Sequence, residues 1–199
     1  MALALALISA CPAKSARLSI VVLGDSLTAG YELRAEDAFP VQLQSVLAAQ
    51  GVTTEIANAG VSGDTSKGGL ERLDWSVPAD AALVIVELGG NDALRGLDPA
   101  ETRQNLEELL TKLSARHQKV LLAGMLAPPN MGSEYAKAFN AIYPSLAAKY
   151  KVPLYPFILD GVAAQPGVRL SDGMHPNAKG VRIMAEGIAP MVRAALDKH

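Results

Sequence analysis

A single parallel β-sheet with helices packed on both faces is the architecture this sequence predicts, and three observations carry the prediction. Short β-branched apolar runs recur along the chain, stretches long enough for helices separate them, and loops rich in glycine, asparagine and aspartate follow the runs. Parallel neighbours need crossovers long enough to hold a helix, so this alternation argues for a three-layer α/β/α sandwich.

The first run, residues 18–23 (LSIVVL), ends at Gly24 and reads as a strand buried on both faces. Residues 53–57 (TTEIA), 83–88 (LVIVEL) and 120–125 (VLLAGM) follow the same pattern, and residues 152–157 form a weaker fifth candidate. Helices are expected over residues 39–50, 99–117, 135–150 and 176–197. In the second of these, Leu106, Leu109, Leu110 and Leu113 recur at helical spacing, with Asp98 as N-cap and Pro99 in the first turn. Ligands of such open sheets bind at the carboxyl ends of the strands, so functional residues should lie just after the apolar runs.

Composition narrows the function classes. Of 199 residues half are hydrophobic and 19% charged, with a formal net charge of -2. That balance suits one compact domain and offers neither a basic stripe for nucleic acid nor a polybasic segment for an anionic membrane. A small molecule is the expected partner. The lone cysteine, Cys11, excludes an internal disulfide framework and a cysteine-based metal cluster.

Residues 1–16 read as a signal or lipoprotein leader and residues 17–199 as the folded domain. The run MALALALISA is too short to span a bilayer but has the length of a signal h-region, although no basic residue precedes it. Ile8-Ser9-Ala10-Cys11 resembles a lipoprotein box with Cys11 as the lipid-bearing residue, while residues 13–16 offer small side chains for ordinary cleavage. The expectation is a periplasmic or secreted bacterial protein with no stable membrane insertion beyond such an anchor. A leader that does not function would leave it cytoplasmic.

The chemistry-bearing residues sit where the fold argument places them. Gly24-Asp25-Ser26-Leu27 follows the first run and presents a serine hydroxyl at the rim of the sheet. A serine becomes a useful nucleophile only when a base takes its proton. Of the three histidines, His199 is terminal and His117 lies at a helix end, whereas His175 lies in the turn-rich Ser171-Asp172-Gly173-Met174-His175-Pro176. Asp172, three residues earlier, is close enough to orient the ring. Asn58-Ala59-Gly60-Val61-Ser62-Gly63 and Gly89-Gly90-Asn91-Asp92 could supply the hydrogen-bond donors that an acyl-transfer oxyanion needs.

Together these blocks resemble the SGNH (GDSL-type) hydrolases: Gly24-Asp25-Ser26-Leu27, Asn58-Ala59-Gly60, Gly90-Asn91-Asp92 and Asp172-Gly173-Met174-His175-Pro176 appear in that family's order. Residues 88–96 (LGGNDALRG) and 141–144 (AIYP) are similar to the thioesterase I, lysophospholipase L1 and arylesterase branch. The resemblance implies five strands in flavodoxin-like order and a serine esterase acting on aryl or acyl esters, with thioesters and lysophospholipids in range. It implies Ser26 as nucleophile, His175 as base and Asp172 as its orienting carboxylate. The oxyanion hole would be the N–H groups of Ser26 and Gly60 with the Asn91 amide, and no cofactor or metal is required. The α/β-hydrolase elbow is excluded because Thr28 stands where Gly-x-Ser-x-Gly requires glycine.

Two alternatives are weighed against it. A carbohydrate O-deacetylase would keep the same catalytic residues on the same scaffold. A non-catalytic flavodoxin-like binding module would cradle phosphate in the first loop, where the Asp25 carboxylate is repulsive. Leu94, Leu97, Met125, Leu126, Pro128, Pro129 and Met131 lie in segments that could border an acyl cleft, with Met125 and Leu126 better read as core. Residues 92–96 resemble a loop that moves on substrate binding in the thioesterase branch.

Overall fold

The computed structural model describes residues 17–197, so the leader expectation, Cys11 included, lies outside the described residues. Strands β1 (Leu18–Gly24), β2 (Thr54–Gly60), β3 (Leu83–Glu87), β4 (Val120–Ala123) and β5 (Leu154–Tyr155) form one sheet in the order β2-β1-β3-β4-β5, all neighbours parallel. That is the order the family resemblance implied. Every residue of β3 and β4 is buried, which explains their unbroken apolar character.

The helices are α1 (Ser26–Ala29), α2 (Phe39–Ala49), α3 (Ser66–Glu71), α4 (Leu73–Ser76), α5 (Gly90–Leu94), α6 (Pro99–Ala115), α7 (Ser133–Asn140), α8 (Ile142–Tyr150) and α9 (Ala178–Asp197). Right-handed crossovers place α2, which leads left from β1 to β2, on one face. The rightward connections through α3, α6 and α8 fall on the other face, and α9 returns to pack on α2. The core lies between these layers, with Ile20, Leu23, Phe39, Leu43, Leu83, Ile85, Leu106 and Tyr143 fully enclosed.

Several boundaries differ from expectation, β5 among them with two residues in place of six, and three differ by more than trimming of an end. The helix expected over residues 135–150 is two helices, because Pro144 has no N–H to offer the carbonyl of Asn140, and the chain breaks at Ala141. Asn58, Ala59 and Gly60 belong to β2 rather than to the loop after it, in register with Val22, Leu23 and Gly24. The last helix starts at Ala178, not Pro176. The Asn177 side chain accepts from the N–H groups of Lys179 and Gly180 at 3.0 and 3.2 Å and acts as its cap, while Pro176 pairs with Arg169 in an isolated bridge.

Candidate active site

The order reverses at β1 and β3, and the carboxyl ends of these two strands define the crevice. Beyond β1 the chain turns directly into α1, with Ser26 at its first position. Asp25 caps this helix: its Oδ1 accepts from the N–H of Leu27 at 3.0 Å. An N-cap of this kind contributes about 1 kcal/mol, and here it fixes the orientation of the residue that follows. Gly24 and Gly60 face each other in the register beneath α1. Neither needs an unusual backbone angle; a Cβ on Gly24 would lie 2.1 Å from Thr28 Oγ1, and one on Gly60 would lie 2.3 Å from Ala29 N. The absence of a side chain at both positions lets α1 settle on the strand ends.

Ser26, Asp172 and His175 come together although 149 residues separate Ser26 from His175. His175 Nε2 is 2.9 Å from Ser26 Oγ, and His175 Nδ1 is 2.6 Å from Asp172 Oδ2. The carboxylate at Nδ1 requires the proton on that nitrogen, leaving the Nε2 lone pair toward the serine hydroxyl. Asp172 is itself held by its own turn: Oδ1 accepts from the N–H groups of Met174 and His175 at 2.9 and 3.0 Å. The hydrogen bond from His175, with that from Met174 N–H, holds the Asp172 carboxyl below its ordinary range. Arg169 clasps the same loop by donating to Gly173 O at 2.8 Å, and Leu170 N–H donates to His175 O at 2.8 Å.

Asn91, in the first turn of α5, donates through Nδ2 to Asp25 Oδ2 at 3.1 Å and to Asp64 O at 2.9 Å. Its amide therefore lies between the serine loop and the loop after β2. The Gly60 N–H, expected among the oxyanion donors, is engaged by Asn58 Oδ1 at 3.0 Å, and Gly60 packs against α1. Gly63, three residues on, has a positive φ of 87° that favours glycine, and its carbonyl accepts from Arg95 Nη2 at 2.7 Å. It immediately precedes Asp64, the residue that holds Asn91.

Sequence reasoning missed the buried charges behind this rim. Arg72 donates to Gly24 O and Ala59 O at 2.8 Å each and to Asp64 Oδ2 at 2.6 Å, tying the carboxyl ends of β1 and β2 to the loop that holds Asn91. Glu87, the last residue of β3, accepts from Thr28 Oγ1 at 2.8 Å and from Asp25 N at 3.3 Å. Burial, and then the nearby Asp25 charge, push the Glu87 carboxyl well above its usual range. Burial likewise pushes Asp25 up to about 6, against the N–H of Leu27. Asp92 is also buried, accepting from Ser66 N and Ser66 Oγ. A lone charged residue in an apolar run, such as Glu87 in LVIVEL, was the available signal. Among the described residues, no group of three or more His, Cys, Asp or Glu is arranged to hold a metal ion.

The triad opens on a cleft of about 720 Å³ lined by Leu94, Met125, Leu126, Pro128, Pro129 and Met174, among others. Leu97 and Met131 do not line it, whereas Phe157, Leu159 and Ala163 do. Leu126, read as core, is 43% exposed at the rim; Met125 is 8% exposed and belongs to both core and cleft floor.

Comparison with known proteins extends this geometry. The chain is 40% identical to Esterase TesA of Pseudomonas aeruginosa over 184 residues, 92% of each chain. It is 39% identical to Thioesterase 1/protease 1/lysophospholipase L1 of Escherichia coli over 176 residues, covering 88% of this chain and 83% of that one. The crystal structure of the psychrotrophic esterase EstA from Pseudoalteromonas sp., inhibited by monoethylphosphonate, superposes with a TM-score of 0.85 at 30% identity, over 91% of this chain and 100% of that one. A family model described as the GDSL-like lipase/acylhydrolase family matches residues 22–183, a span that takes in every block from the serine turn to the histidine loop, and the chain belongs to that family.

Proposed function

We propose that this protein hydrolyses carboxylic esters through an acyl-serine intermediate, with Ser26 as nucleophile, His175 as general base and then acid, and Asp172 as the carboxylate that orients it. The observation that carries the reading is the continuous relay from Asp172 to His175 to Ser26 at 2.6 and 2.9 Å, opening on an apolar cleft. Ser26 attacks the ester carbonyl while Nε2 takes its proton. The same nitrogen protonates the departing alcohol or thiol, and then activates water to release the acid.

The oxyanion is received by the N–H of Ser26, an end-of-helix donor with no intrahelical acceptor, and by Asn91 Nδ2. The third donor is better assigned to Gly63 than to Gly60. Gly60 is packed beneath α1, where even a Cβ would meet Ala29 N, whereas Gly63 adjoins the residue that holds Asn91.

The lining favours acyl or aryl groups, with thioesters and lysophospholipids in the same class, over the polar groups that a carbohydrate deacetylase must recognise. The names of the TesA and thioesterase relatives support that choice. Residues 1–16 support export to the periplasm or beyond, with Cys11 as lipid attachment point. Among the described residues no helix is long and apolar enough to cross a membrane.

Hydrolysis rates over p-nitrophenyl esters from acetyl to palmitoyl, beside acyl-CoA, lysophospholipid and acetylated sugars, test the reading. Turnover of the simple esters that Ser26→Ala abolishes is expected. Turnover of acetylated sugars alone would move the assignment to the deacetylase, and no turnover of any ester would remove it.

A further inference from the structure

We propose that Tyr31 is a positioning residue for His175: its ring holds the imidazole face-on and stabilises the positive charge that the imidazole acquires when Ser26 attacks. The inference rests on the hydrolase reading above and concerns a residue outside the family's four blocks.

The two ring centroids lie 4.5 Å apart with their planes tilted by 34°. His175 comes from a loop, so its ring has no strand or helix of its own to hold it. Asp172 fixes one edge and Ser26 meets the other. A ring held only at its two nitrogens can still tip about the axis joining them, and Tyr31 covers the face that would swing.

Tyr31 is well placed to impose this constraint because it belongs to the turn that carries the nucleophile. Gly30, at φ 82°, ends α1, and the N–H groups of both Gly30 and Tyr31 donate to Ser26 O at 3.2 Å. A shift of Ser26 therefore carries Tyr31 with it, and the serine and the imidazole keep their relation. Tyr31 is not among the side chains lining the substrate cleft, so its effect is separable from substrate contact.

Charge adds to position. The aromatic face attracts a cation within about 6 Å of its centroid, and more strongly where the pair is desolvated. The positive charge on the ring develops as Ser26 gives up its proton, so the attraction acts on the transition state more than on the resting enzyme. The other charges facing His175 are the carboxylates of Asp172 and Asp25. On the far side, the Glu32 charge pushes the Tyr31 phenol above its ordinary range, so the ring stays neutral.

The test is steady-state hydrolysis of p-nitrophenyl acetate by the full chain and by Tyr31→Leu, Tyr31→Met and Tyr31→Phe, each checked for an unchanged urea midpoint. Leu and Met keep apolar bulk without an aromatic face, and either serves if the other fails to fold. The expected result is a fall in kcat of about 3- to 10-fold for Leu and Met with KM within twofold, and kcat for Phe within twofold of wild type. Full activity in the Leu and Met variants, a change confined to KM, or an equal loss in Phe and Leu would each overturn the inference while leaving the hydrolase reading intact. A wild-type chain whose turnover survives Ser26→Ala would overturn both.

Discussion

Asn91 Nδ2 donates to Asp25 Oδ2 at 3.1 Å and to the Asp64 carbonyl at 2.9 Å, so both N–H bonds of the amide are engaged before any substrate is bound. An oxyanion can recruit this amide only by displacing one of the two acceptors. The Asp25 carboxylate, pushed up to about 6 by burial, is a neighbour whose charge state bears on that exchange.

Removal of the amide should therefore damage turnover far more than binding. Asn91→Ala is expected to lower kcat by about 100- to 1000-fold, as loss of one oxyanion donor does elsewhere, with KM changed by less than threefold. Stopped-flow measurement of the p-nitrophenol burst checks this, since acylation is the step affected.

Asp172→Asn should keep the turn but lose the carboxylate that fixes the tautomer at Nδ1. A fall in kcat of at least about 100-fold is expected, with the urea midpoint close to wild type because Asn can still accept from Met174 and His175 N–H. Carboxylates held below their ordinary value stay charged in mild acid, so Asp172 should keep orienting the ring as the pH falls through 5.

Much of this site follows from local rules, and much does not. The serine and histidine turns are legible because short loops after apolar runs carry few residue types, and each type restricts the chemistry. The helix expected over residues 135–150 runs through Pro144, which cannot donate within it, and the start expected at Pro176 falls two residues early because a cap is set by the side chain that reaches the free N–H groups, here Asn177. Arg72 and Glu87 could not be placed, because decisive partners, Gly24 O for Arg72 and Thr28 Oγ1 for Glu87, lie 48 and 59 residues away in the chain. The helix α3 (SKGGLE) carries two glycines, and tertiary packing against α6 overrides its poor propensity.

Glu87 and Asp25 make stability depend on pH in a stated direction. Both are acids whose folded-state pKa lies above the unfolded one, so the folded state holds extra protons between the two values. Stability contributed by the protonated forms is present at low pH and is lost as pH rises from about 4 through 6 and beyond. Glu87→Gln, which mimics the protonated acid, should flatten that decline. Urea unfolding of both proteins at pH 5 to 8 measures it; an unchanged slope would show that Glu87 is charged in the folded state.

Arg72→Met should lower stability by about 3–5 kcal/mol, because it leaves Asp64 and two strand-end carbonyls without their donor. Catalysis should fall as well, since Asp64 positions Asn91. Far-UV circular dichroism in urea gives the first effect, and kcat at a temperature where the variant stays folded gives the second.

The central claim, that Ser26 is a nucleophile activated by His175, is tested most directly by reaction of the folded protein with a fluorophosphonate and mass mapping of the adduct. The EstA relative, whose structure is described as inhibited by monoethylphosphonate, makes this reagent class apt. One adduct per chain on Ser26, absent in Ser26→Ala and formed at least about 100-fold more slowly in His175→Ala, is the predicted result. No adduct on folded protein, or an adduct on another residue that Ser26→Ala leaves undiminished, would contradict it.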